Sequence, residues 1–215
     1  MKHEPFLARL RRDRLAAIVR GRDAGAALRT VLALAEEGVG LVEVSLTTAD
    51  ACRVIAEVRR EVGDDALIGA GTVVTADDLA RARDAGASWI VTPALGTGVT
   101  AAVEAELPVL AGALTPTECV AAMAAGATAV KLFPAGPAGG PAYLRALRDP
   151  FPELPVVPVG GVDAAAAEQY LAAGALAVGV GGPLVGDAAH GGDLTRLRAR
   201  ARAFTAALAG AGGAS

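Results

Sequence analysis

At 215 residues, 53% of them hydrophobic and 20% charged, the chain can bury one substantial core and reads as a single domain over residues 1–215. A formal net charge of −3 and an aromatic content of 3% leave no basic stretch interleaved with aromatics, which argues against a nucleic-acid partner. The longest charge-free run, Gln169 to Gly186, is broken by glycines and a proline, so no membrane span is expected.

In chain order, Met1 to Arg14 alternates charged with isolated apolar residues and is expected to form an N-terminal helical arm. It lacks the apolar run and cleavage site of a secretory signal, which points to a cytoplasmic protein. From Leu15 the pattern becomes repetitive. Four segments, EEGVGLVEVSL, DAGASWIVTPA, AAGATAVKLFPA and AAGALAVGVGG, share a helix end, a turn glycine and a short apolar strand. Their turn glycines, Gly38, Gly86, Gly126 and Gly174, are 48, 40 and 48 residues apart, a spacing that fits two strand-helix units per repeat. Four further apolar runs, starting at Leu15, Ala66, Leu107 and Leu154, each reach a Gly and bring the strands to eight. Segments of helical period over Ala24 to Glu37, Ala76 to Ala85 and Thr115 to Ala125 fill the gaps, several behind a capping Thr or Asp. Eight alternating strands and helices predict an α/β fold, a single (β/α)8 TIM barrel with its core over about residues 15–204. An open doubly wound sheet would need a G-x-G-x-x-G after the first strand, and Leu15 to Gly25 has none.

Side chains inside such a barrel stack in layers drawn from alternate strands. Five residues after each turn glycine stand Glu43, Val91, Lys131 and Gly179, so a carboxylate and an amine are expected to face each other in one layer, with Gly179 leaving room. A space-filling salt bridge is the structural alternative, but isolated buried pairs are usually costly against apolar packing. Lysine becomes nucleophilic when burial disfavours its ammonium form, although a facing carboxylate pulls the other way. Lys131 is therefore expected to attack a keto group to form a Schiff base, with Glu43 moving the protons. Only His3 and His190 are present, one in the N-terminal segment and one in a Gly-rich loop, so no metal ligand set and no cofactor are expected. Cys52 and Cys119 stand singly and read as buried, reduced core residues.

These residues resemble a known family, the 2-keto-3-deoxy-6-phosphogluconate (KDPG) aldolases and their phosphogalactonate and 4-hydroxy-2-oxoglutarate relatives. The resemblance covers about residues 15–204 and is carried by V-E-V-S-L around Glu43, I-G-A-G-T-V from Ile68, V-T-P from Val91, V-K-L-F-P around Lys131 and V-G-G-V from Val159. It implies a class I aldolase that reversibly releases pyruvate and glyceraldehyde 3-phosphate, or glyoxylate, without a cofactor. It also implies a homotrimer with a small-molecule substrate as its partner. By the same resemblance Thr72, Pro93 and Phe133 line the pyruvate pocket, while Gly160, Gly161, Gly181 and Gly182 bind phosphate on backbone N–H groups. Each has a plainer reading: Thr72 as a helix cap, Pro93 as a strand end, Phe133 as core, the glycines as tight turns. Three positions depart from the phosphogluconate pattern. Pro183 replaces a Ser, Val159 a Thr, and Thr47 the Arg that holds the substrate carboxylate. Arg20, in I-V-R-G, matches an arginine of the phosphogalactonate-type relatives and is expected to clamp that carboxylate instead. A phosphosugar isomerase or epimerase on the same barrel, using Glu43 and Lys131 without a covalent bond, is one alternative, against which the V-K-L-F-P context argues; a non-catalytic sugar-acid binder is the other, and it would have no need to bury Glu43 and Lys131.

Overall fold

Four of the helices start where a short polar side chain takes the first free N–H groups. Asp23 accepts from Ala26 and Asp163 from Ala166, and Thr75 with Asp78 and Thr115 with Glu118 form reciprocal capping boxes. The same four helices stop where glycine takes over. Gly38, Gly86, Gly126 and Gly174 follow their helix ends at φ +80°, +93°, +93° and +90°, a left-handed backbone that would strain any residue with a Cβ. The repeat seen in the sequence is thus a repeated helix stop feeding a strand.

In the computed structural model, which describes residues 3–63 and 65–210, these signals give ten helices and eight strands among the described residues. After α1 (Glu4–Asp13) come β1 (Leu15–Val19), α2 (Ala24–Glu36), β2 (Leu41–Ser45), α3 (Ala51–Val62), β3 (Leu67–Gly71) and α4 (Ala76–Asp84). Then follow β4 (Ile90–Val91), α5 (Thr97–Glu104), β5 (Val109–Ala113), α6 (Pro116–Ala124), β6 (Ala129–Leu132) and α7 (Gly140–Arg148). The chain finishes with β7 (Val156–Pro158), α8 (Ala164–Ala172), β8 (Val178–Val180), α9 (Gly182–Val185), a 3-10 turn (Ala188–His190) and α10 (Leu194–Gly210).

All strand pairs are parallel, in the order β7-β6-β5-β4-β3-β2-β1-β8. The sheet closes between its ends through the Val159–Gly179 bridge and a 2.8 Å bond from the Leu176 N–H to the Val156 carbonyl. The eight-stranded barrel expected from the sequence is therefore present.

Two apolar clusters divide the work. Outward side chains such as Val42, Val44, Val130 and Leu132 pack under the helices, while Ala16, Leu41, Trp89, Val91, Leu110, Ala129 and Val157 fill the barrel interior. The expected N-terminal arm does not stand apart: α1 lies under the barrel with Phe6, Leu7 and Leu10 buried, and the Phe6 and Trp89 rings sit 5.5 Å apart. An amphipathic helix beside an apolar barrel end is driven there by the area both remove from water. Cys119 is fully buried, and burial together with Glu118 pushes its thiol up to about 11; Cys52, read above as core, is only half-buried, on the outer side of α3.

Gly69 makes the plug possible, because a Cβ there would sit 2.5 Å from Cε2 of the fully buried Trp89 indole. Gly69→Ala is therefore expected to destabilise the fold by about 1–3 kcal/mol, as overpacking does. The midpoint of urea unfolding measures it, and an unshifted midpoint would show that Trp89 has room to move.

Candidate active site

Alternation along a strand decides which side chains enter the barrel. On β2, Leu41, Glu43 and Ser45 face inward while Val42 and Val44 meet the helices; on β6, Ala129 and Lys131 face inward while Val130 and Leu132 face out. The lower inward positions are apolar, and the charged ones come later in each strand. Glu43 and Lys131 therefore reach the C-terminal mouth, where they share a cavity of about 380 Å³.

Every site residue expected from the sequence lines that cavity: Arg20, Glu43, Thr72, Pro93, Lys131, Phe133, Gly160, Gly161, Gly181 and Gly182. A cavity of similar size, about 400 Å³, opens at the other end beside Arg11, Arg12 and Arg14. It brings together no buried amine and carboxylate, so the chemistry singles out the mouth.

Glu43 is 3% exposed and Lys131 7%. Burial pushes the Glu43 carboxyl above its ordinary range, and the positive charges of Lys131 and then Arg20 pull it partly back. Among the described residues neither the carboxylate nor the amine enters a hydrogen bond or an ion pair within 4.0 Å, so the pair is not a space-filling salt bridge. Lys131 Nζ instead lies 5.2 Å from the centroid of the Phe133 ring, within reach of a cation–π contact. Phe133 is 43% exposed at the mouth and is not core. The room for Glu43 comes from Gly71, where a Cβ would stand 2.4 Å from the carboxylate oxygen. Gly179, expected to provide that room, gives it to Val159: a Cβ at 179 would meet Val159 Cγ2 at 2.6 Å.

Ser45, fully buried, ties the rim together. Its Oγ is 2.8 Å from both Thr47 Oγ1 and Thr72 Oγ1, and Arg20 Nε donates to it at 3.4 Å. Thr72 has φ +61°, a strained value for a β-branched residue that persists only when its surroundings hold it. It does not cap α4, since Thr75 does. Thr47 turns its hydroxyl to Ser45 and is absent from the cavity wall, while Arg20 is on that wall. Two residues at the site were given no site role in the sequence reading. Ser45 was findable, because two residues past Glu43 on one strand is the same face. His190, also on the wall, had no local signal; the turn that carries it is placed by packing.

A family model described as KDPG and KHG aldolase matches residues 7–199. The chain is 35% identical over 172 residues to the KHG/KDPG aldolase of Escherichia coli K12, covering 79% of this chain and 80% of that protein. It is also 35% identical over 195 residues to the 2-dehydro-3-deoxy-6-phosphogalactonate aldolase of the same organism, covering 90% and 93%. A solved KDPG aldolase from Legionella pneumophila, with pyruvate captured as a covalent carbinolamine, superposes with a TM-score of 0.77 at 26% identity, covering 91% of this chain and 92% of that one.

The electrostatics of Glu43 are directly measurable. In a ¹³C carboxyl titration Glu43 is expected to titrate above the ordinary glutamate range, and Arg20→Ala should raise it further, because a positive charge favouring the carboxylate is gone. A midpoint at or below the ordinary value, or a downward shift in the variant, contradicts this account.

Proposed function

We propose that this chain, which belongs to the family of KDPG and KHG aldolases, uses Lys131 as its Schiff-base lysine and Glu43 as the proton shuttle beside it. The chain is a class I aldolase, a carbon-carbon lyase that reversibly cleaves a 2-keto-3-deoxy-6-phospho sugar acid to pyruvate and glyceraldehyde 3-phosphate, or 4-hydroxy-2-oxoglutarate to pyruvate and glyoxylate. The observation that supports the residue roles is the buried amine and buried carboxyl on one cavity wall, with burial pushing the carboxyl above its ordinary range.

Lys131 Nζ attacks C2 of the keto acid. Glu43 gives its proton to the resulting hydroxyl, which leaves as water and completes the iminium. The Glu43 carboxylate then takes the proton of the C4 hydroxyl. As the C3–C4 bond breaks, its electron pair moves toward the iminium nitrogen, forming an enamine, and the aldehyde departs. Glu43 returns the proton to C3, and water, losing a proton to Glu43, hydrolyses the pyruvyl iminium. The acid form is restored, so the cycle balances. Phe133 and Pro93 line the pyruvate end, and Arg20, oriented by Ser45 together with Thr72, holds the substrate carboxylate. Gly160, Gly161, Gly181 and Gly182 form the bare-backbone end suited to phosphate, although Pro183 brings no N–H there.

A homotrimer in the cytoplasm completes the reading. Val74, Leu95 and Val120, 53%, 37% and 51% exposed, lie on three consecutive β/α units and would be covered by a neighbouring copy. Among the described residues no helix is long and apolar enough to cross a membrane.

Pyruvate with borohydride is expected to attach a reduced pyruvyl group to Lys131, seen by peptide mass mapping; labelling at another residue, or none, sinks the mechanism. Glu43→Gln should lower turnover by about 10²–10⁴-fold while pyruvate binding survives better. Arg20→Ala should weaken pyruvate trapping by roughly ten- to a hundredfold, the worth of a charge-assisted hydrogen bond. Intact trapping in that variant would move Arg20 away from the carboxylate.

A further inference from the structure

The polar side chains on the cavity wall among the described residues are Arg20, Glu43, Thr72, Lys131 and His190. The reaction as read above takes up four of them: Lys131 and Glu43 in the chemistry, Arg20 and Thr72 at the keto-acid carboxylate. His190 is left over. It ends the turn that follows β8, and the other residues of that segment on the wall, Gly181, Gly182, Pro183, Val185 and Gly186, offer no side-chain hydrogen-bond donor.

The residue is held in place by its loop. Gly21, next to Arg20, packs so closely on the turn that a Cβ would reach within 2.0 Å of the Ala189 carbonyl oxygen. The His190 N–H donates to the Asp187 carbonyl at 2.9 Å, and the Gly191 N–H to Ala188 at 3.1 Å. The imidazole is oriented as well, because the Arg22 N–H donates to His190 Nδ1 at 3.3 Å. That bond needs the lone pair on Nδ1, so the ring proton sits on Nε2. His190 therefore presents an N–H donor at the wall. The nearest acidic group in sequence across the loop contact, Asp23, is occupied in capping α2, accepting from Ala26 at 2.6 Å.

We propose that His190 is a specificity-determining residue whose Nε2–H donates to the phosphate at the distal end of the substrate, favouring phosphorylated sugar acids over the shorter, unphosphorylated 4-hydroxy-2-oxoglutarate. The inference rests on the aldolase reading above and names the side chain that reads the far end of the same site. Backbone N–H groups can cradle a phosphate but do not reach toward it; an imidazole from the turn after the same strand adds a side-chain donor.

The test compares kcat/KM for a 2-keto-3-deoxy-6-phospho sugar acid with that for 4-hydroxy-2-oxoglutarate in wild type, His190→Ala and His190→Gln. The ratio is expected to fall by roughly ten- to a hundredfold in His190→Ala, chiefly through KM of the phosphorylated substrate. His190→Gln, which keeps an N–H donor at a similar reach, should recover much of it. A ratio unchanged in His190→Ala, an equal loss on both substrates, a glutamine variant as poor as alanine, or a wild type that favours the unphosphorylated acid would each overturn the proposal. Borohydride trapping of pyruvate on wild-type Lys131 tests the underlying mechanism separately. Trapping with a ratio insensitive to residue 190 refutes the His190 role alone, and absence of trapping refutes the mechanism beneath it.

Discussion

A carboxyl and an amine are kept out of water in the same layer of the barrel, and the geometry of the mouth is arranged around that. Desolvating either group alone would be expensive, and pairing them tightly would leave both inert. The protein takes a middle course. Glu43 occupies the space that Gly71 leaves empty, and Lys131 lies over the Phe133 ring. The charges of Lys131 and Arg20 act on Glu43 without closing into an ion pair, which moderates the upward push of burial on its carboxyl.

Holding such a pair requires a scaffold that does not relax around it. The lower barrel supplies it by close packing: Trp89, seated against Gly69 and beside Phe6 from α1, fills the N-terminal end together with Ala16, Leu41, Leu110, Ala129 and Val157. Stability is concentrated at one end of the strands and chemistry at the other. This is the separation that a parallel barrel offers, because all eight strands point the same way and all their exits gather on one face.

At those exits the rim is organised by the buried hydroxyl of Ser45. Ser45 joins Thr47, Thr72 and Arg20 into one connected set, and Thr72 keeps a left-handed backbone within it. Removing Ser45 would therefore break three contacts at once, because each of the other members is joined to the set through its hydroxyl. The same connection sets the direction of Arg20, just past β1, through a neighbour on β2.

Much of this was legible in the sequence, for identifiable reasons. Helix stops at Gly38, Gly86, Gly126 and Gly174, caps at Thr and Asp, and short apolar runs are local signals, so the count of eight strands and the inward register of Glu43 and Lys131 follow from spacing alone. The resemblance carried by five strand-end motifs pointed to the remaining pocket residues. What the linear order did not contain was anything dependent on contacts between distant segments. That Gly71 and not Gly179 makes room for Glu43, that α1 plugs the barrel, that Cys52 stays half-buried, that Ser45 meets Arg20 and that the His190 turn folds over Gly21 are all set by which surfaces meet once the barrel closes. Periodicity specifies the side of a strand a residue takes; only the closed barrel, through close packing of side chains from different strands, decides what that residue touches.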